Sequence, residues 1–520
     1  MQMKSLWGAV VALGLAADGA VAQTTPSDKE IARLREQLKA VQQQMENQQK
    51  LFQQQIEGLQ TQLEAISSKP GSITVPGSAA SSNQATPPAD PIEAAMSGKL
   101  SEPDGTRLLE DAAAGWQPTA PIRVLGNANQ YMNVSFDGLM AAGVSTAKDV
   151  DALQPGGHDP KNRGFTLQQA EVAFDGAVDP YFRGLANILF IIDGEGETVV
   201  ELEEAYLESM SLPANLQLKA GQFFTEFGRQ NPTHPHGWDF VDQPLINNRL
   251  FGGDGQRAPG MRLSWLAPTP FYSEVFLALQ NGVGETAPSF RNGFEGEAAF
   301  GRGHEGLREE RPMALRDMLF TPRVQAAWDL SETQTLLAGA SASFGANASG
   351  PDTDTEVYGV DLRWKWKPAN QTRGFPFVSL QGEFMYRRYE AGAYTDDLDG
   401  DGVPDLDLAG DGATIVSVPR ERIIDYGLYG QLVYGFRPGW TAGFRGDYVT
   451  PERAAYEGML GLDTDRARRW RFSPNLTHFP SEFSKVRLQY NYDWREQIGP
   501  DHSLWLQLEF LLGSHGAHKF

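Results

Sequence analysis

Two histidines and two aspartates lie close together in one segment of the chain. His234, His236, Asp239 and Asp242 fall within nine residues of the stretch 229–258. Imidazole nitrogens and carboxylate oxygens are ligands that Zn²⁺ and Cu²⁺ accept in proteins. The spacing fits no named zinc motif. Metal binding and a purely structural, hydrogen-bonding role therefore both stay open for these side chains.

A second segment carries aspartates at alternating positions. Asp397, Asp399 and Asp401 lie two residues apart, with Asp405 at the ninth position of the pattern. Hard carboxylate oxygens arranged around glycines suit Ca²⁺, and D-x-D-x-D-G begins many calcium loops. Position twelve is Leu408, where an EF-hand has a glutamate. We expect either a structural Ca²⁺ site or a solvated acidic loop, and no required cofactor.

Basic residues form a third group, on the polar faces of strand-like segments in the C-terminal half. The group consists of Arg363, Lys365, Arg387, Arg445, Arg469, Arg471 and Arg487. If these segments enclose a lumen, the group would line a pore as a cationic wall for anions. The alternative is charge balance against acids such as Asp361, Glu383, Asp447 and Asp493.

Composition and motifs exclude several classes of function. The 520 residues include no Cys, so disulfides, thiolate metal sites and a Cys nucleophile are excluded. A net charge of −22 argues against nucleic-acid binding, which needs clustered Lys and Arg. No G-x-S-x-G, H-E-x-x-H or P-loop motif occurs, and the glutamates at 201–204 alone do not form an active site. We therefore do not expect an enzyme.

The elements that position these residues are predicted to be β-strands. Sixteen segments between 119 and 520 alternate apolar with polar residues, which is typical of a transmembrane barrel. The predicted strands are 121–136, 163–178, 182–193, 199–209, 216–228, 259–268, 271–282, 317–330, 334–347, 355–368, 377–390, 423–436, 440–451, 468–480, 483–496 and 502–520. The predicted fold is an all-β, 16-stranded antiparallel transmembrane barrel; a β-sandwich or solenoid is the alternative.

The connections between these strands add a second regularity. Even-to-odd connections are mostly short turns, whereas several odd-to-even connections are long. The long ones are 137–162, 229–258, 283–316, 391–422 and 452–467. Short turns at one rim and long loops at the other indicate an outer-membrane barrel with both termini in the periplasm.

The connection 229–258 differs from the other long loops because it is rich in apolar side chains. An exposed loop gains nothing from such residues unless they pack somewhere, so we expect this loop to fold into the barrel and narrow the pore. The predicted constriction residues are Arg229, His234, His236, Trp238, Asp239, Asp242 and Arg249.

The N-terminal part of the chain is predicted to have three segments of different character. Residues 1–22 combine a basic start, an apolar run and Ala-Val-Ala, which indicates a signal peptide rather than a membrane anchor. Residues 23–68 show the three- and four-residue apolar steps of a periplasmic coiled coil, with a disordered Gln-rich tail as the alternative. Residues 69–118, rich in Pro, Gly, Ala and Ser, form a predicted disordered linker before the barrel at 119–520.

This organisation resembles the phosphate-selective porin O and P family. Locally the resemblance depends on 164–190, on 216–228 and on the aromatic terminal residue Phe520. It implies a trimeric outer-membrane channel whose pore selects anions through Arg and Lys. This chain departs from that pattern, because the inward-loop segment has three Arg beside three Asp: Arg229, Arg249, Arg257, Asp239, Asp242 and Asp254.

The expected function is therefore a porin of the bacterial outer membrane. It would give small solutes or ions passive passage with a preference for phosphate-like anions, surrounded by outer-membrane lipid and assembled as a homo-oligomer, most simply a trimer. Two alternatives remain open from the residues. The histidines 234 and 236 would suit a divalent-metal-related channel, and the coiled coil would suit a trimeric envelope tether or adhesin.

Overall fold

The computed structural model describes most of the chain from residue 122 to residue 513. The described residues are 122–126, 130–177, 179–192, 196–284, 286–291, 298–300, 302–303, 314–350, 352–397, 400, 402–404 and 407–513. The predicted signal peptide (1–22), coiled coil (23–68), linker (69–118) and terminal Phe520 lie outside these residues, and they stay predictions.

Sixteen long antiparallel strands form one sheet in which each strand pairs with the next. They are β1 (Tyr131–Ser145), β2 (Gly164–Ala177), β3 (Phe182–Ile192), β4 (Thr198–Ser209), β5 (Leu216–Phe224), β6 (Arg257–Leu266), β7 (Tyr272–Gln280), β8 (Leu319–Ser331), β9 (Gln334–Ala346), β10 (Asp354–Trp366), β11 (Phe377–Ala391), β12 (Glu421–Arg437), β13 (Trp440–Pro451), β14 (Arg469–Ser481), β15 (Ser484–Arg495) and β16 (Gly499–Leu512). Residues 136–145 of β1 pair with 503–512 of β16, which closes the sheet. The predicted 16-stranded antiparallel barrel is confirmed.

The remaining described elements are short. A strand at Ile122–Gly126 pairs with the start of β1, and two small hairpins join Ala298–Ala299 to Arg302–Gly303 and Tyr394–Thr395 to Ser417–Val418. The helices are α1 (Leu245–Phe251), α2 (Glu457–Leu460) and the 3-10 turns Pro213–Asn215, Pro235–Gly237 and Leu315–Asp317. None of the described helices is long and apolar enough to cross a membrane.

The strands form because apolar and polar residues alternate along them and so point to opposite faces. In β10, Tyr358, Val360 and Leu362 are 41%, 54% and 49% exposed, whereas Asp361 between them is 5% exposed. The outer face of the barrel is thus apolar and the inner face polar. Closure pairs the backbone groups of every strand, so such a sheet can sit in hydrocarbon. This is the architecture of a bacterial outer-membrane barrel.

The long and short connections lie at opposite rims, as predicted. Long connections occupy 146–163, 225–256, 281–318, 392–420 and 452–468, all after odd-numbered strands. Several connections after even-numbered strands are tight turns, such as 332–333, 438–439 and 482–483. The long connections therefore share one rim, from which they can reach the lumen together.

The predicted bounds of the first strand are wrong, and the last strand begins and ends earlier than predicted. The segment 121–136 holds two strands, because the chain turns at Gly126, whose φ is 100°. Glycine adopts this conformation without steric cost. The first barrel strand therefore runs nine residues further, to Ser145. The last strand ends at Leu512, before Gly513 with a φ of 85°.

Candidate pore constriction

The connection 225–256 folds into the lumen of the barrel. Its backbone amides bond to inward-facing side chains on distant strands: Val241 N donates to Gln489 Oε1 at 2.9 Å, and Leu245 N donates to Asp447 Oδ1 at 3.1 Å. Gln489 lies on β15 and Asp447 on β13. A loop that leaves β5 and bonds to these strands crosses the interior.

A buried carboxylate on β11 holds the start of this loop. Glu383 Oε1 accepts hydrogen bonds from the backbone amides of Arg229 at 3.0 Å and Gln230 at 2.6 Å, and from Tyr429 Oη at 2.8 Å. Gly228 adopts a φ of 60°, and a Cβ there would lie 2.2 Å from Glu383 Oε2. The close approach of backbone to carboxylate therefore requires glycine at this position.

Asp242 is the main polar anchor of the loop and is fully buried. Its Oδ1 accepts hydrogen bonds from Arg445 at 2.6 Å and Gln489 at 3.0 Å. Its Oδ2 accepts from Arg471 at 2.8 Å and Asn491 at 2.6 Å. Burial alone would raise the pKa of Asp242, but Arg445 and Arg471 lower it well below its usual range. The anchor is therefore a charged, fully hydrogen-bonded aspartate.

The apolar side chains of the loop pack inside the barrel, as its composition led us to expect. The buried ones include Trp238, Phe240, Val241, Leu245 and Ile246. Helix α1 packs on β12 and β13. It contributes to a cluster with Phe227, Phe290, Val357, Met385, Tyr429 and Val449. Part of the lumen is thus filled by a second hydrophobic core.

A cavity of about 640 Å³ remains beside the loop. On the loop side it is lined by Arg229, Thr233, His234, Trp238 and Asp239. On the barrel wall it extends to Glu208, near the short-turn end of β4, and across to Arg363 on β10. The loop therefore bounds a polar space that continues toward the short-turn rim.

The charges around this cavity are unevenly compensated. Arg229 and Arg363 have no carboxylate partner within 4.0 Å in the described part of the chain. Burial and the neighbouring Arg363 lower the pKa of Arg229 to about 10, so this guanidinium stays charged at neutral pH. On the opposite wall, Glu226 is paired with Arg262 at 2.7 Å and with Lys219 at 3.6 Å. Arg229 and Arg363 therefore add positive charge to this side of the cavity, while Asp239 on the loop adds one negative charge.

Most of the basic residues predicted on the pore wall are paired with acids. Arg387 bonds to Asp425 at 2.5 Å, Arg445 to Asp447 at 2.8 Å, and Arg469 and Arg471 to Asp493 at 2.7 and 2.9 Å. All four arginines are buried. For these four the structure has the charge balance that the sequence left as an alternative. Arg487 instead donates to the carbonyl of Trp238 at 2.9 Å, and Lys365 lies near Arg363 and Arg229.

The other predicted constriction residues also lie in the lumen. Asp239 Oδ2 accepts a hydrogen bond from Gln431 on β12 at 3.0 Å. Trp238 Nε1 donates to the Thr233 carbonyl at 2.7 Å. Arg249 donates to the carbonyls of 466 and 467, at 2.8 and 2.7 Å, and so ties α1 to the 452–468 loop. The constriction residues predicted from the composition of this loop thus lie together in the barrel interior.

His234 lies in a pocket of carboxylates on the inner wall. Its Nε2 is 2.9 Å from Glu204 Oε2, and its Nδ1 is 2.8 Å from Glu203 Oε2 and 4.0 Å from Glu171 Oε2. Burial favours the neutral ring, yet Glu203, Glu204 and Glu171 raise the pKa of His234 well above its usual value. His236 stacks beside His234, with ring centroids 5.6 Å apart.

A β-bulge explains why two successive glutamates face this pocket. Asn187 on β3 pairs with Glu204, and the next pair joins Ile188 to Leu202, so Glu203 is the extra residue. Both Glu203 and Glu204 are buried on the inner face. A bulge re-aims a side chain in this way. Two adjacent glutamates in an alternating segment are the sequence signal of such a bulge.

The aspartate-rich segment is only partly described. Asp397 is half-buried, whereas Asp399, Asp401 and Asp405 lie outside the described residues. The neighbouring Asp396 Oδ2 accepts a hydrogen bond from the amide of Leu408 at 2.9 Å. Calcium binding by this segment stays a prediction.

Comparison with curated proteins finds one relative whose similarity extends over most of both chains. It is a protein of Aquifex aeolicus (strain VF5) described as an uncharacterized protein, 30% identical over 388 residues, which are 70% of this chain and 73% of the relative. This chain belongs to the same family as that Aquifex aeolicus protein. A scan against family models gives no match. Family membership therefore assigns no activity, and function has to be argued from the site.

Several solved structures share the general shape of the barrel. The outer membrane channel DcaP of Acinetobacter baumannii has a TM-score of 0.46 and 13% identity, over 74% of this chain and 99% of that one. The anion-selective porin from Comamonas acidovorans has a TM-score of 0.43 and 7% identity, over 73% and 100%. OmpT of Vibrio cholerae has a TM-score of 0.42 and 6% identity, over 75% and 99%. The barrel assignment rests on the strand pairing itself.

Proposed function

We propose that this chain is an outer-membrane porin through which small solutes or ions diffuse passively, without covalent chemistry. The observation that carries the proposal is a closed barrel with an apolar exterior, whose polar lumen is narrowed by the 225–256 loop to a cavity of about 640 Å³. In such channels, specificity depends on the side chains at the narrowest part. The loop and the β10 wall would form that part.

The charges beside the cavity support a preference for anions. Arg229 and Arg363 line the cavity, and the described residues place no carboxylate within 4.0 Å of either. The glutamates on the opposite wall are compensated by ion pairs. Cationic side chains that line a pore raise the local concentration of anions. We therefore extend the proposal to anion-preferring passage, with phosphate-like ions as the class that the porin O and P resemblance favours.

Current recordings in planar lipid bilayers test both the proposed channel activity and the proposed anion preference. Purified full-length protein should produce discrete ion-conducting steps, and its reversal potential in a KCl gradient should indicate anion preference. Arg229→Gln with Arg363→Gln should move the reversal potential toward the cation side. Arg388→Gln is the matched control, because Arg388 pairs with the half-buried Glu356 at 3.2 Å and does not line the cavity. The absence of conducting steps from folded protein would remove the porin proposal.

Assembly is a separate part of the proposal. We propose a homo-oligomer embedded in outer-membrane lipid, most simply a trimer joined through the predicted coiled coil 23–68. Native mass spectrometry of the full chain, compared with a chain lacking residues 23–68, tests this. An equal number of subunits in the two particles would contradict assembly through the coiled coil. An envelope tether or adhesin remains the alternative if conducting steps are absent while assembly is retained.

A further inference from the structure

Four buried carboxylates and three histidine rings meet on the inner wall of the barrel. They are Asp137, Glu171, Glu203, Glu204, His158, His234 and His236. The nearest cationic side chains, Arg257 and Lys485, also pair with acids outside this group, Glu201 and Glu509. Burying a carboxylate without full compensation is costly. Additional positive charge would therefore stabilise this group.

Glu203 differs from the other acids of this group in its hydrogen bonding. It is fully buried, and in the part of the chain that the structure describes neither of its carboxylate oxygens accepts a hydrogen bond. His234 Nδ1 lies 2.8 Å from Oε2, but the contact is not aligned as a hydrogen bond. His158 Nε2 and Arg257 Nη1 are 4.0 and 3.9 Å from Oε1. The bulge thus aims a buried carboxylate at a point between two imidazoles.

Both imidazoles are oriented by an acceptor on their far side. His158 Nδ1 contacts the Gln168 carbonyl at 3.2 Å, and a carbonyl only accepts, so Nδ1 carries the hydrogen. His234 Nε2 contacts the Glu204 carboxylate at 2.9 Å in the same way. A bound cation would take the place of the second proton of His234, so that His234 Nδ1 and His158 Nε2 would both direct lone pairs toward it beside Glu203. A far-side acceptor that fixes the tautomer is typical of metal-ligating histidines.

The separations of these atoms suit a small cation. Tetrahedral Zn²⁺ has bonds of about 2.0–2.1 Å to nitrogen and oxygen, which places ligand atoms about 3.3 Å apart. The corresponding distances are 2.8 Å for Glu203 to His234, 4.0 Å for Glu171 to His234 and 4.0 Å for Glu203 to His158. One ligand atom from each of Glu171, Glu203 and His234 lies within 4.8 Å of the others. Small side-chain shifts would bring them to bonding distance.

We propose that Glu171, Glu203 and His234 bind one divalent transition-metal ion, and that His158 moves in as its fourth ligand. Two imidazoles with two carboxylates form a mixed nitrogen and oxygen set, and Zn²⁺ is the ion that this set suits best. His234 and Glu204 line the cavity, so an ion can reach the site from the lumen. The proposal concerns binding alone and does not depend on whether solutes cross the barrel.

Bound metal would join parts of the chain that are far apart in sequence. His158 belongs to the 146–163 loop and His234 to the 225–256 loop, while the two glutamates belong to β2 and β4. One ion would therefore fasten both inserted loops to the wall. Metal that binds only the folded state stabilises that state.

Zinc titration of the full-length protein in detergent tests the proposal. The protein carries no polyhistidine tag, is stripped with EDTA and dialysed, and is titrated with Zn²⁺ by calorimetry. We expect one high-affinity Zn²⁺ per chain. Glu203→Gln, which keeps the shape of the side chain, should weaken this site by more than about 100-fold. Glu204→Gln, which only orients His234, should weaken it by about 10- to 100-fold.

His502→Ala is the matched control, because His502 lies on β16 outside the cluster and pairs with Tyr490. It should bind Zn²⁺ as the unmodified protein does. X-ray absorption at the zinc edge of the unmodified protein gives a second measurement that does not depend on variants folding, and imidazole scattering is expected. The absence of high-affinity zinc, equal affinity in Glu203→Gln, or a zinc spectrum without imidazole would each overturn the proposal.

Discussion

Replacing Asp242 by Asn should release the 225–256 loop from the barrel wall. The substitution keeps the shape of the side chain but removes the charge that Arg445 and Arg471 share, at 2.6 and 2.8 Å. Asp242 is fully buried, so water does not replace the lost interaction. The two arginines keep their other carboxylate partners, and the wall itself should stay folded.

The size of the effect follows from the burial of the pair. Removing one partner of a buried ion pair costs about 3–5 kcal/mol, because the other charge stays buried. The remaining partners, Asp447 and Asp493, keep the cost near the lower bound. Since about 1.4 kcal/mol is a tenfold change, the released state should become at least about 100-fold more populated.

Single-channel recording and limited proteolysis measure this release. Asp242→Asn should give larger or noisier conductance and faster cleavage within 225–256. Asp151→Asn is the matched control, because Asp151 is exposed and pairs with Lys161 at 2.9 Å. An exposed pair of this kind contributes only about 0–1 kcal/mol. Asp242→Asn channels with unchanged conductance, noise and cleavage rate would refute the anchoring role.

Two further substitutions test the loop entry and the outer surface. Gly228→Ala should push Glu383 away from the loop amides and lower stability by about 1–3 kcal/mol, measured by thermal unfolding. Gly458→Ala is the control, because a Cβ there meets nothing within 4 Å, and it should leave stability nearly unchanged. Equal melting temperatures for the two variants would contradict the close approach of Gly228 to Glu383. Val360→Arg on the outer face should cost about 2–4 kcal/mol in denaturant titrations in lipid vesicles. Val403→Arg in a loop is the control and should change the free energy of unfolding by less than about 0.5 kcal/mol. Equal costs for Val360→Arg and Val403→Arg would argue against a lipid-facing β10.

The barrel could be predicted from the sequence because its signals are local. Alternation of apolar and polar residues has a period of two, and tight turns separate the strands, so both are visible within about ten residues. All sixteen strands were found in this way. The first was misplaced because the turn at Gly126 divides an alternating segment into two strands, and alternation alone does not show such a division.

The candidate site was only partly predictable, because its parts come from distant segments. The apolar residues of 229–258 gave a local reason to expect an inserted loop. The partners of His234 come from β2 and β4, and Glu203 is also approached by His158 of the 146–163 loop, so only closure of the barrel brings these groups together. His158 had no local signal at all. The pairing of Arg387 with Asp425 likewise depends on neighbouring strands and their register.

The central claim is that this barrel conducts small solutes past the inserted loop. The most direct measurement is the current through planar bilayers containing the purified full-length protein in a KCl gradient. We expect discrete conducting steps with a reversal potential on the anion side, shifted toward cations by Arg229→Gln with Arg363→Gln. Folded protein that gives no steps, or steps whose reversal potential ignores both arginines, would contradict it.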